Sequence, residues 1–473
     1  MRFKELIITI IIALSYLVSI GLYSQSEDKK FRMEVEMQGF ENKIIYFVNY
    51  YQGNNYKLDS CVLSPKGKGV FEIDASKVPG GQYLLYAKPD FQIEMLIDDG
   101  QNDLKVKVPR DVARSTIEGS ADTKGYWSYL NQLKSFEVKR DVLNAKLETV
   151  KNKSQQVKIQ TEIDKLGEDI DKYTQRVIEE NKGSLLSAYL RGTTPLEIPA
   201  ELKGAEVPIA EVRKYVREHY LDNLDLTDPR LQRTNYFYSL IDSYINNWVE
   251  QDWTAIPAAY SELVAKSKSN KKAFEPLLSA FLNRSLTSQV MGMENVWARL
   301  AEDYIFGKDI DMTEADIKQL ETKYEQIKLN RIGMVAQDLA MRTIDGDSLN
   351  LLDMDAEYII LEFYNPTCSY CREDLTYLAK EFYPRYKDKG VRVVAFNLGD
   401  AGDAWTKFIE DCGMNEFYNC IDPEYKSEYW IKYNTTRVPT NYILNKDKKI
   451  IGKSINKSNL EKLFEIIIKD GTN

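Results

Sequence analysis

The chain has 473 residues, 63 basic and 72 acidic, giving a formal net charge of −9 with 43% hydrophobic and 29% charged residues. This is longer than one ordinary domain, and the balance is that of a folded chain rather than a disordered one. Its mildly acidic character argues against nucleic acid as a main partner, and one histidine with five cysteines is too little for a His-rich metal site, a Cys-His dyad or a disulfide-built scaffold.

The chain opens with the basic run Met1-Arg2-Phe3-Lys4, an almost wholly apolar stretch from Leu6 to Tyr23, then Ser24, Gln25, Ser26 and the charged Glu27-Asp28-Lys29-Lys30. Residues 1–26 therefore read as a secretory signal peptide or an uncleaved N-terminal anchor. No cysteine follows the apolar run that could carry a lipid. Either reading places the bulk of the chain outside the cytoplasm, in the periplasm or cell envelope, where disulfides persist. Membrane association is expected only if the segment stays uncleaved.

Residues 27–115 read as β. Short alternating or apolar runs at Phe31–Met37, Ile44–Val48, Val70–Ile73, Tyr83–Tyr86 and Ile93–Ile97 are separated by turn signals such as Gly53-Asn54-Asn55 and Pro79-Gly80-Gly81. That spacing predicts a small antiparallel sandwich or barrel. Cys61, within it, reads as a lone buried thiol.

Residues 120–328 read as helical and carry no motif of chemistry. Ile159, Ile163, Leu166, Ile170, Tyr173 and Val177 step by fours and threes, the seam of a helix. With the helical segment Trp127–Val150 before it, this predicts a hairpin of two arms turning at Ser154-Gln155-Gln156. His219 reads as a surface or packed histidine, since its neighbours supply no nucleophile. The aromatic run from Tyr236 to Trp253 reads as core.

From Arg331 onward strands and helices alternate, predicting an α/β domain. Strands are expected at Tyr358–Tyr364, Val391–Phe396, near Phe417, Asn441–Leu444 and Lys449–Gly452. Helices are expected after Cys371 and around Trp405–Asp411, Tyr425–Tyr433 and Leu460–Ile468.

The chemistry concentrates in Cys368-Ser369-Tyr370-Cys371, which stands where the strand Tyr358–Tyr364 hands over to a helix across Asn365-Pro366-Thr367. Two thiols at this spacing can close a small disulfide ring or cycle between thiol and disulfide. Free N–H groups at a helix start stabilise negative charge, so Cys368 is the candidate attacking thiolate and Cys371, one turn on, the resolving thiol. Glu362, six residues before Cys368 among apolar neighbours, could exchange a proton with Cys371. A zinc site lacks two further ligands, and the adjacency of Pro366, Thr367 and Cys368 does not fit the Pro-x-x-x-Thr-x-x-Cys of peroxiredoxins. Cys412 and Cys420 flank a short loop; they read as structural thiols, their pairing left open by separation alone.

These residues resemble the thioredoxin superfamily, and more closely its envelope thiol-disulfide oxidoreductases of the TlpA/ResA type. The similarity runs from Arg331-Ile332-Gly333-Met334-Val335 through Asp345-Gly346-Asp347 and Glu362-Phe363-Tyr364 to the cysteines and Val438-Pro439-Thr440. It implies that Pro439 is a cis-proline facing the disulfide, that Val438, Pro439 and Thr440 hold a partner's extended chain, and that Asp374 is the acid three residues after the second cysteine. Glu362 matches the buried acid of thioredoxins proper. Thr367 departs from the pattern, since an aromatic residue usually precedes the first cysteine.

The expected protein is multidomain: residues 1–26 signal or anchor, 27–115 an antiparallel β-sandwich-like accessory domain, 120–328 a helical accessory domain, and 331–473 a thioredoxin-like α/β domain. The β and helical segments look like accessory domains that precede such modules in envelope proteins of Bacteroidota. The resemblance implies a Cys368–Cys371 disulfide, no cofactor and no metal, with protein thiols or disulfides and a redox partner as the interacting groups. The rival is a non-catalytic envelope scaffold whose thioredoxin-like module only docks partners.

Overall fold

The structure, a computed structural model, describes residues 29–470 except 90, 205, 289 and 308–310. The expected export signal or anchor lies outside the described residues. No helix among the described residues is long and apolar enough to cross a membrane. The chain forms two compact units: one runs to Glu250 and takes in Leu263–Leu277, and the other comprises Gln251–Glu262 and everything from Leu278 onward.

The first unit opens with strands β1 (Lys30–Met37), β2 (Ile44–Tyr51), β3 (Asn54–Val62), β4 (Lys68–Asp74), β5 (Gly81–Ala87), β6 (Phe91–Ile97), β7 (Asp103–Val108) and β8 (Thr116–Glu118). They make two four-stranded sheets, ordered β4-β1-β7-β8 and β3-β2-β5-β6. Alternation decides which face turns inward: Phe31, Met33, Val35 and Met37 of β1 are all buried. Phe31 stacks on Phe47 of the other sheet at 5.5 Å between ring centres, and Phe47 also meets Phe71 and Tyr83. The result is a sandwich with one departure from a purely antiparallel plan, the parallel pair β1–β7. The β2–β3 hairpin turns on Gln52 and Gly53, both at positive φ, as a two-residue turn requires. Asn54 and Asn55, expected in the turn, therefore begin β3.

Helices α1 (Ala121–Thr149) and α2 (Lys153–Glu180) form the hairpin. Its turn comes earlier than expected because the Asn152 side chain accepts the N–H groups of Ser154 and Gln155 and starts α2 there. Tyr129 stacks on Tyr173 of the seam at 5.7 Å. Helices α3 (Leu185–Thr193), α4 (Ile209–His219) and α5 (Phe237–Asn247) follow. His219 ends α4 at the surface with Nδ1 2.6 Å from Asp222. Phe237 and Tyr238 are core, as the aromatic run suggests. Helices α6 (Ala255–Ser267) and α7 (Lys271–Thr287) give residues to both units.

In the second unit, α8 (Met293–Tyr304) and α9 (Glu314–Ile327) accompany a seven-stranded sheet. Its strands are β9 (Ala340–Thr343), β10 (Ser348–Asn350), β11 (Tyr358–Tyr364), β12 (Val391–Asn397), β13 (Tyr418–Ile421), β14 (Thr440–Asn445) and β15 (Ile450–Lys453), in the order β10-β9-β13-β12-β11-β14-β15. β11 is parallel to β12 and antiparallel to β14. Both of its faces are buried, one in each of two cores, and it reads as a near-continuous apolar run for that reason. Its residues alternate between two cores: Ile360 and Tyr364 face one, and Ile359, Leu361 and Phe363 the other. The first core is covered by α10 (Ser369–Tyr377), α12 (Asp403–Cys412) and α14 (Lys457–Asp470), with the short α11 (Tyr383–Tyr386) between the first two. The helix expected over Tyr425–Tyr433 shrinks to α13 (Tyr429–Lys432). Asp422 takes the N–H groups of Lys426 and Ser427 into a side-chain-capped turn, and Tyr425 and Glu428 adopt positive φ. Trp253, expected in the core, is 43% exposed but closes over Gly333, where a Cβ would lie 2.2 Å from its ring.

Candidate active site

The site grows from the end of β11. After Tyr364 the Asn365 side chain accepts hydrogen bonds from the Thr367 N–H and hydroxyl, folding Asn365-Pro366-Thr367 into a tight bend. The bend delivers Cys368 as the N-cap of α10, with φ −87° and ψ 118°. Its sulfur accepts the Cys371 N–H at 3.3 Å, the position in which a helix start supports negative charge. Cys368 is partly exposed and Cys371 fully buried, and both are free thiols in this structure. Tyr370 between them is 73% exposed.

The second wall comes from the turn before β14. The Val438–Pro439 peptide is cis, and the Val438 carbonyl lies 3.9 Å from the Cys368 sulfur. Thr440 bonds back to the Arg437 carbonyl at 2.7 Å, closing the turn. Cys368 and the Val438-Pro439-Thr440 segment, 70 residues apart in sequence, thus meet at one surface.

Beneath them is the acid pair. Glu362 lies on the β11 face shared with Ile360 and Tyr364, the face that α10 covers through Cys371 and Leu375. It is 1% exposed, and neither carboxyl oxygen has a hydrogen-bond partner among the described residues. Burial pushes its pKa up to about 8, and the Asp374 carboxylate adds to the rise. Asn441, opposite on β14, draws the other way, but its amide is engaged in both directions with Ile455, at 2.9 and 2.8 Å. Asp374 is half-buried and also raised, first by burial, with Lys457 opposing. The Cys371 thiol is pushed up to about 12 by burial, then by the Cys368 sulfur and the Glu362 carboxyl. Such a thiol gives up its proton only to a nearby base.

The residues assigned to the redox site in sequence fall in this region: Cys368 and Cys371 at the start of α10 with Asp374 within it, Glu362 on β11, and the Val438-Pro439-Thr440 turn beside the Cys368 sulfur. Sequence reasoning missed Lys457, whose ammonium lies 2.8 Å from Glu373 and 3.6 Å from Asp374. No local pattern marks it, since it arrives from 83 residues beyond Asp374 on another helix. It also missed Trp405, which donates to the Tyr364 hydroxyl at 2.7 Å inside the core. Among the described residues no group of three or more His, Cys, Asp or Glu side chains is placed to hold a metal ion.

Residues 332–453 match the family model described as the AhpC/TSA family. The chain is 28% identical over 134 residues to the thiol-disulfide oxidoreductase ResA of Bacillus anthracis, covering 28% of this chain and 75% of that protein. It is 29% identical over 139 residues to ResA of Geobacillus kaustophilus, covering 29% and 78% respectively. Among solved structures it is similar to a thioredoxin-like protein from Bacteroides caccae, with 21% identity, 58% of this chain and 98% of the other covered, and a TM-score of 0.42. These matches support a TlpA/ResA-like, thioredoxin-superfamily assignment for the C-terminal segment of the chain.

Proposed function

We propose that the chain is an exported thiol-disulfide oxidoreductase that exchanges a Cys368–Cys371 dithiol/disulfide pair with protein partners in the cell envelope. One observation carries the reading: a partly exposed Cys368 sulfur at a helix N-cap, 3.9 Å from the carbonyl that precedes a cis-proline, with a buried thiol one turn behind it. The relatives' name, thiol-disulfide oxidoreductase, agrees with it. The basic and apolar start of the sequence supports export.

In the reducing direction the Cys368 thiolate attacks one sulfur of a partner disulfide. A Cys368–partner bond forms, the partner's S–S bond breaks and its second sulfur leaves as thiolate. Where Glu362 is ionised, Cys371 passes its proton to it, attacks Cys368 and expels the partner's remaining thiolate, leaving Cys368–Cys371 oxidised and the partner reduced by two electrons. Run backward, the same steps oxidise a partner dithiol. Val438, Pro439 and Thr440 would hold the partner's extended chain against Cys368, and Asp374 would modulate the proton on Glu362.

Insulin reduction by the full chain, with a small dithiol supplying electrons, tests the proposal. Turnover lost in Cys368→Ser, with mixed disulfides trapped by Cys371→Ser, is the expected result. Absence of both turnover and trapped complexes in an otherwise folded protein would favour a docking scaffold instead.

A further inference from the structure

The second unit holds a cavity away from the cysteines. α8 and α9 line, together with β15 and α14, an open space of about 580 Å³. That is the size of a small-molecule site, about 300–1,000 Å³. Part of its wall is apolar: Met293 of α8, Ile327 of α9, Ile455 and Leu463 of α14 line it, as does Leu286, which is 43% exposed. None of the redox-site residues lines the cavity, so binding there stands apart from disulfide exchange.

Two lysines line the same space, Lys453 of β15 and Lys323 of α9. The first is fully engaged. Its ammonium donates to the two Glu294 oxygens at 3.1 and 3.0 Å and to the Asn330 side-chain oxygen at 2.5 Å, which occupies all three of its donors. Lys323 is half-buried and has no such partner among the described residues. The residues three and four places from it along α9 are Gln319, Leu320, Gln326 and Ile327, none of them acidic. Its ammonium is close enough to be felt at Lys453, whose pKa is lowered first by burial, with Glu294 opposing and Lys323 adding to the fall. Glu294, Lys323 and Lys453 are the charged residues of the lining, so one positive charge is left uncompensated there.

We infer that this cavity binds a soluble monoanionic amphiphile, a carboxylate head on a short apolar chain, with Lys323 holding the head. A wholly apolar ligand would cover the lysine without giving it a partner. A small polar anion would leave the Met293, Ile327 and Leu463 wall in contact with water. A phosphate monoester, at about −1.5 to −2, would bring more charge than the cavity leaves unpaired. A carboxylate on an apolar chain meets both halves of the lining, its head making a charge-assisted hydrogen bond to the free ammonium.

Calorimetric titration of the full chain with decanoate, kept below its micelle-forming concentration, tests this. Saturable binding of decanoate is expected. Decanol, which keeps the chain and loses the charge, should bind about tenfold more weakly, and decylammonium should give no saturable binding. Lys323→Met should weaken decanoate binding about tenfold and leave decanol unchanged, and Lys323→Arg should restore it. Leu286→Asp, which sets an acid into the wall at an exposed position, should weaken decanoate by a similar factor. If Lys323→Met does not fold, Lys323→Gln serves in its place. Absence of saturable decanoate binding, equal affinity for decylammonium, or a decanoate affinity unmoved in either variant would overturn the inference. Lys323-dependent binding to phosphatidylglycerol vesicles with no response to decanoate would place the anion on a membrane surface and overturn it too.

Discussion

The second unit holds two pairs of cysteines close in sequence, and the fold treats them in opposite ways. Cys368 and Cys371 share one helix start, one sulfur reaching the surface and the other sealed behind it. Cys412 and Cys420 are separated by the sheet itself. Cys412 ends α12 in the core on the α10 side, while Cys420 sits on β13 in the core on the other side, between Phe396 of β12 and Thr343 of β9. Both are fully buried free thiols, and burial alone pushes Cys420 up to about 12. Proximity in sequence is thus a weak guide to sulfur chemistry. A thiol becomes reactive when a strand end aims it at a helix N-terminus and solvent, and stays inert when a sheet packs it among apolar side chains.

The largest test of this contrast is catalytic. Cys368→Ala should lower insulin reduction by about a thousandfold or more, equivalent to roughly 4 kcal/mol of barrier, whereas Cys412→Ala and Cys420→Ala should each change it less than about threefold. A comparable loss from either buried thiol would erase the distinction.

Next comes the acid beneath the reactive pair. Glu362 holds its proton up to about pH 8 in the folded chain, against an ordinary value of 4.5. Below 4.5 it is neutral in both folded and unfolded states and affects neither. Between 4.5 and 8 the unfolded chain ionises while the folded chain keeps the proton, so folding stability falls as pH rises; above 8 the cost is complete. Glu362→Gln removes this dependence. Its stability advantage over wild type should grow across that window to roughly 4–5 kcal/mol, measured by urea unfolding at a series of pH values. A difference independent of pH would contradict the buried, unpartnered carboxyl.

Smaller effects separate the thiols by packing. Cys420→Ser puts a hydroxyl into an apolar core and should cost about 2 kcal/mol in urea unfolding with an unchanged m-value. Cys368→Ser, at a partly exposed N-cap where serine is also a good capping residue, should stay within about 0.5 kcal/mol of wild type.

Much of the site was legible because its signals are local. The apolar run Tyr358–Tyr364, the break at Asn365-Pro366-Thr367 and the cysteine spacing together define a strand, a bend and a helix start, and each is set by neighbours within a few residues. Glu362 was legible as a lone acid in an apolar run, and Asp374 and Pro439 through the family pattern. The two-sheet sandwich was legible in outline, since alternation shows a half-buried strand wherever it ends up pairing. The parallel β1–β7 pair was not legible, because pairing direction depends on where the chain returns. The short strands β9 and β10 were missed because runs of four and three residues carry too little periodicity. The helix over Tyr425–Tyr433 was over-read because the apolar spacing gave no weight to Asp422, whose side chain captures the following backbone.

Length, charge balance and local patterning by themselves determined that this chain carries β, helical and α/β segments and a dithiol poised at a strand–helix junction, because such features depend on covalent neighbours and on periods of two and 3.6. Only the tertiary structure decided that α8 joins the α/β sheet, with Asn295 bonding the Ile332 carbonyl and Lys453 held by Glu294. It alone set Cys412 and Cys420 in separate cores and brought Lys457 to Asp374. These are meetings of residues far apart in sequence, and the packing of a particular sheet, not any local preference, makes them neighbours.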